Sequence, residues 1–166
     1  NASTFAMRLD PSAPVRAYIE RMRIQYTTIV AYTTPITASR RLALFRGSGA
    51  ATAGGTAIAT VAKKHSVLSG SEFEAAQGGD IRIATTSALT VTGITFETDP
   101  IRTMSPVHAG AAGSFVEQMW ELNAGECHPV VLEPGQLIAI RNPVAMDAAG
   151  TWQLCVNVDW YEAAAF

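Results

Sequence analysis

The side chains able to do chemistry in this sequence are few, and their spacing limits what they can do. Metal-ligating types are the adjacent pair Cys127 and His128, with His65 and His108 standing apart. A bound ion needs three or four such groups converging on one point. Neighbouring residues of a strand point to opposite faces, so Cys127 and His128 do not readily share an ion. Carboxylates occur as Glu72/Glu74, Glu117/Glu121 and Asp159/Glu162. Paired acids can flank a glycosidic bond, but the simpler reading here is solvated strand faces. The run "GSGAATAGG" (47–55) offers backbone N–H groups to an anion, yet Thr52 stands where a third glycine is required and no Lys-Ser/Thr pair follows. A loop tip is the better reading. No Gly-x-Ser-x-Gly elbow is present, and a Ser-His-Asp triad assembled only by folding stays open at this level.

Two further groups are candidates for binding rather than catalysis. Trp120, Trp152 and Trp160 with Tyr18, Tyr26, Tyr32 and Tyr161 supply either a sugar-stacking platform or core and interface packing, and their place within strand patterns favours packing. Arg40-Arg41 and Lys63-Lys64 read as strand-edge charges that discourage unwanted sheet pairing, with docking to an acidic partner as the alternative.

The elements that carry these residues are strands. Met22, Ile24, Tyr26, Thr28, Val30 and Tyr32 alternate with polar neighbours, a period of two. In 151–162, Trp152, Leu154, Val156, Val158 and Trp160 face one way, while Gln153, Cys155, Asn157 and Asp159 face the other. Further strands are expected at 40–46, 56–64, 80–86, 88–97, 114–122, 128–132 and 136–142, the first two pairing as a hairpin. Residues 66–79 hold the one short helix expected, with Ser71 and Glu74 at capping-box spacing. In "LEPGQL", Pro134 presets φ and Gly135 supplies a positive φ, which predicts a type II turn joining a hairpin. Strands at such intervals without long helices between them predict an all-β, single-domain antiparallel sandwich or jelly roll. Its expected limits are an N-terminal arm over 1–14, a domain over 15–162 and a tail over 163–166.

Composition narrows the partners. At 166 residues a sizeable core is available, and 48% hydrophobic against 16% charged residues excludes a disordered chain. With 12 basic and 14 acidic residues in no long run, there is no footprint for naked nucleic acid. No stretch approaches the roughly 20 apolar residues of a membrane helix and no secretory signal is recognisable, so a soluble protein is expected. Two cysteines, Cys127 and Cys155, are too few for a disulfide framework and read as buried thiols, with a bridge between them as the alternative.

The run "ASRRLALFRGSGAATAGGTAIATVAKK" and the pair "VVLEPGQLIAIRNP" and "GTWQLCVNVDWYE" give a layout that resembles capsid cement or decoration proteins of tailed bacteriophages. The resemblance covers about half of the chain. It implies a non-enzymatic structural protein made in the bacterial cytoplasm and carried on the virion, binding the major capsid protein as a dimer or trimer, with no cofactor and no small-molecule substrate. The residues expected at partner contacts are Phe5 and Met7 in the arm, Gly47, Gly49 and Gly54 in the loop, and Phe166 in the tail. The alternative is a carbohydrate-binding sandwich of a phage fibre or tail, using the Trp/Tyr set. The Pro-Gly turn also resembles that of cupins, but it lacks their histidines, and a β-barrel enzyme of that type would require a bound metal.

Overall fold

The computed structural model describes residues 2–30, 42–61, 70–104, 128–143 and 150–164, together with the backbone of 114–121. The fold is an all-β sandwich of two antiparallel sheets. The first sheet contains β1 (Ala2–Arg8), β3 (Leu42–Gly49), β4 (Thr56–Ala57), β5 (Asp80–Ile83), β6 (Ile94–Phe96), β7 (Arg102–Met104) and β10 (Gln136–Asn142). Its order is β4-β5-β1-β10-β3-β6, with β7 also on β3. The second contains β2 (Val15–Val30), β8 (Ser114–Glu121), β9 (Val130–Leu132) and β11 (Thr151–Ala164), with β11 on one side of β2 and β8 and β9 on the other.

Alternation explains the second sheet. Ala17, Ile19, Met22, Ile24, Tyr26 and Thr28 of β2 are all buried. The spacing breaks between Ile19 and Met22, where a bulge leaves Glu20 without a partner as Trp160 pairs Ile19 and Asp159 pairs Arg21. From β11, Trp152, Leu154, Val156, Val158 and Trp160 pack on the same core, as their period of two requires. Opposite them, Phe5 and Met7 of β1, Leu42 and Leu44 of β3, and Ile138 and Ile140 of β10 close the core from the first sheet.

The start of the chain is a correction to the expected arm. β1 is an interior strand paired to both β5 and β10, and Phe5 and Met7 are 4% and 1% exposed. The strand lacks a period of two because both its faces are covered: Phe5 and Met7 point to the main core, and Ala6 joins Leu89, Leu137 and Ala139 in a second cluster behind the sheet. A strand buried on both sides carries no alternation for a sequence reading to detect. At the other end, β11 runs on through Ala163 and Ala164, shortening the expected tail, and Phe166 lies outside the described residues.

Other expectations shift for topological reasons. The turn at Glu133–Gln136 forms as predicted, with Gly135 at φ 79° and the Gln136 N–H donating to the Glu133 carbonyl at 2.9 Å. It is not a hairpin, because β9 and β10 lie in different sheets. The chain crosses there beside a second crossing, from β1 to β2. The two run side by side, tied by Leu9 N–H to Gln136 O at 3.0 Å and Gly135 N–H to Leu9 O at 3.3 Å. Nor do β3 and β4 pair. Four strand spacings separate them, about 19 Å, a distance that residues 50–55 can span when extended. Of the expected helix, a single 3-10 turn is present at Ala75–Gln77, and residues 62–69 lie outside the described part.

Candidate interaction surface

The glycine loop is the first expected contact site, and it is fastened down. Gly47 is buried within β3. Gly49 adopts φ 129° with its Cα turned toward the Gly93 carbonyl, so that a Cβ there would lie 2.2 Å from that oxygen; no other residue fits. Arg8 Nε donates to Gly49 O at 2.9 Å and Arg82 Nη1 to Gly54 O at 3.1 Å. Thr52 is held by Asp80 on β5, whose Oδ2 accepts from the Thr52 N–H at 3.0 Å and from its hydroxyl. Asp80 and Thr52 are both buried, so these charge-assisted bonds replace water that neither group can reach. The loop is a clasp across the sheet edge, held to the protein through Thr52, Gly49 and Gly54.

The carboxylates have internal partners as well. Glu162 of β11 accepts from the Ser71 hydroxyl, from the Glu72 N–H at 3.0 Å and from Trp160 Nε1 at 3.1 Å. Glu74 accepts from the Val61 N–H at 3.2 Å, and Asp159 lies 3.6 Å from Arg21. Partial burial raises the Glu72 carboxyl above its ordinary range, and the negative charges of Glu162 and Asp10 push it further the same way. Arg16 meets Glu133 at 2.8 Å beside the sheet crossing, and that carboxylate raises its already high pKa. Among the described residues no three His, Cys, Asp or Glu side chains converge as a metal site would require, and no helix is long and apolar enough to cross a membrane. His65, His108 and Cys127 lie outside the described residues. Cys155 corrects the expectation of a buried thiol, since it is exposed on the outer face of β11.

The aromatic set divides. Trp152 stacks on Tyr26 at 5.4 Å and Trp160 meets Phe73 edge-on at 5.5 Å, both on the core side. Tyr18 and Tyr161 stack at 4.8 Å with 4° between planes on the opposite, outer face, and Tyr161 is 45% exposed. Trp120 and Tyr32 are not among the side chains described.

What remains available is β11 itself. Of its two edges one pairs with β2 over 14 residues, and among the described strands the other has no partner. Its outward face forms a ladder with β2 of Gln153 beside Thr27, Cys155 beside Gln25, Asn157 beside Arg23 and Asp159 beside Arg21. From Thr151 to Val158 there is no charge and no proline, the devices that usually blunt a strand edge. The alternation of this segment is plain in the sequence; its edge position is not, because strand order depends on distant pairings. Comparison of the chain with protein-family models, with curated proteins and with solved structures found no match.

Proposed function

We propose that the protein is a non-enzymatic structural component that joins a larger protein assembly. The observation that carries this reading is the edge of β11 that has no partner among the described strands, a row of backbone donors and acceptors with no charged side chain from Thr151 to Val158. An added strand satisfies such groups by main-chain hydrogen bonding. The resemblance of the quoted segments to phage decoration proteins supports the finer form of the proposal: a cement protein on the outer surface of a bacteriophage capsid, bound to the major capsid protein as a symmetric oligomer. A clamp of this kind works through buried area across subunit joints, on the order of 1,000 Å² or more.

The test is co-sedimentation with capsid shells stripped of the protein, for the natural chain and for Gln153→Lys. The lysine places one charge on the uncharged stretch of the edge strand while the inward face stays intact. Binding at a fixed ratio to capsid subunits, reduced by the lysine while the melting temperature holds, is the expected result. Absence of binding by the natural chain would overturn the capsid reading. A second reading, a glycan-binding sandwich of a fibre or tail, is favoured only by the stack of half-buried Tyr18 on exposed Tyr161. It predicts a sugar-specific signal on a glycan array that Tyr161→Ala abolishes.

A further inference from the structure

On the outer face of the first sheet, far from β11 in the topology, a single cation is built into an aromatic setting. Arg141 of β10 lies with its guanidinium carbon 4.0 Å from the ring centroid of Phe96 and 5.4 Å from that of Phe45, and the two rings meet edge to face at 6.4 Å. Gly47 makes this packing possible. A Cβ there would lie 3.0 Å from Cδ1 of Phe96 and 2.9 Å from the Thr95 carbonyl, so only a residue without a side chain lets the ring lie across β3.

The cation is not compensated. Arg8, Arg16, Arg46 and Arg82 each donate to a carboxylate or a carbonyl oxygen, whereas no such acceptor faces Arg141 among the described residues. Its Nε is buried without a hydrogen-bond partner, and so is the hydroxyl of Ser3, its direct cross-strand neighbour on β1. Two adjacent donor atoms closed off from solvent therefore lack an acceptor, while the Arg141 residue as a whole is half-buried. Burial lowers the pKa of Arg141 and no neighbouring carboxylate offsets it. Buried donors ordinarily find partners, and a charge in low dielectric gains more from an anion than one in water.

We propose that Arg141 is the recognition residue of a carboxylate-binding site. The rings hold the guanidinium in place before the ligand arrives, and its planar fork of N–H donors matches the two oxygens of a carboxylate. A carboxylate fits this setting better than a phosphate dianion, because one cation beside aromatic rings compensates one negative charge and leaves a second without a partner. The site is independent of the assembly role of β11.

The experiment follows the Nε–Hε resonance of Arg141, assigned through its own side-chain carbons, as acetate is added to the natural protein at constant ionic strength, with chloride and phosphate as parallel titrations. A saturable shift with acetate, weaker or absent with phosphate, is expected. Arg141→Lys should lower acetate affinity about tenfold, since a lysine keeps the charge but loses the fork. Gly47→Ala should weaken binding by displacing Phe96 with Arg141 in place. Two peptides identify the source: one with an internal glutamate and an amidated end, one with a free C-terminal carboxylate and no acidic side chain. Failure of acetate to shift the resonance beyond the chloride control, or tighter binding of phosphate, would overturn the proposal.

Discussion

β1 and β11 are the first and last of the described strands, and they occupy opposite conditions in the fold. β1 has partners on both edges and apolar neighbours on both faces. β11 has one paired edge among the described strands and a face only partly buried on the core, and its outer residues meet water. Position in the sequence therefore says nothing about exposure here. Exposure follows from where the strand enters its sheet. A strand in the middle of a sheet, covered front and back, acts as core even when it begins at the second residue, while an edge strand keeps a surface to offer.

The largest expected effect tests the β1 side of that contrast. Met7→Ser removes a side chain 1% exposed and leaves a hydroxyl in its place. Large-to-small changes at such sites cost about 2–5 kcal/mol, and the buried hydroxyl adds to the loss. Urea unfolding should show that drop in the natural buffer. If the melting temperature stayed intact, Met7 would belong to an exposed arm and β1 would not be an interior strand. A smaller effect is expected from Glu162→Ala at the far end of β11, which strips the acceptor from Ser71, Glu72 and Trp160. About 1–3 kcal/mol is the scale for donors left unpaired, with the lower end expected because this site is only partly buried. A loss equal to that of Met7→Ser would mean that β11 is as deeply built into the core as β1.

The same contrast explains what the sequence could disclose. The alternation of Trp152 to Trp160 was legible because one face meets core and the other water, and the type II turn at Pro134-Gly135 was legible because its backbone demands are local. The all-β sandwich follows from these signals. β1 was illegible as a strand because Phe5, Ala6 and Met7 are all buried, which erases the period. The partners of each strand were equally hidden, since Glu133–Gln136 makes the same turn whether it closes a hairpin or carries the chain between sheets. Of the expected contact residues, Gly47, Gly49 and Gly54 were visible as a loop signal, but their roles are backbone conformation and packing. Arg141 left a trace, a lone charge in the apolar run "LIAIRN", yet the two rings that hold it come from other strands.

The smallest expected effect concerns the segment that joins the two regions. Residues 71–74 bridge them: the Asp10 N–H, just past β1, donates to the Glu72 carbonyl at 3.0 Å, and the Glu72 N–H donates to Glu162 on β11. Partial burial of the Glu72 side chain, and then the negative charges of Glu162 and Asp10, hold its pKa in the folded chain above its ordinary value. Folding thus favours its protonated form. That contribution is complete below the unfolded pKa, about 4.3, and is lost as pH rises through the raised folded value. Glu72→Gln removes the charge and keeps the backbone bonds. The variant should melt slightly higher than the natural chain at neutral pH, with the advantage fading as pH falls to about 4 and below. Thermal melts of both proteins across that range decide the matter: a difference that does not change with pH would show that Glu72 acts through shape alone, and that the bridge between β1 and β11 carries no electrostatic strain.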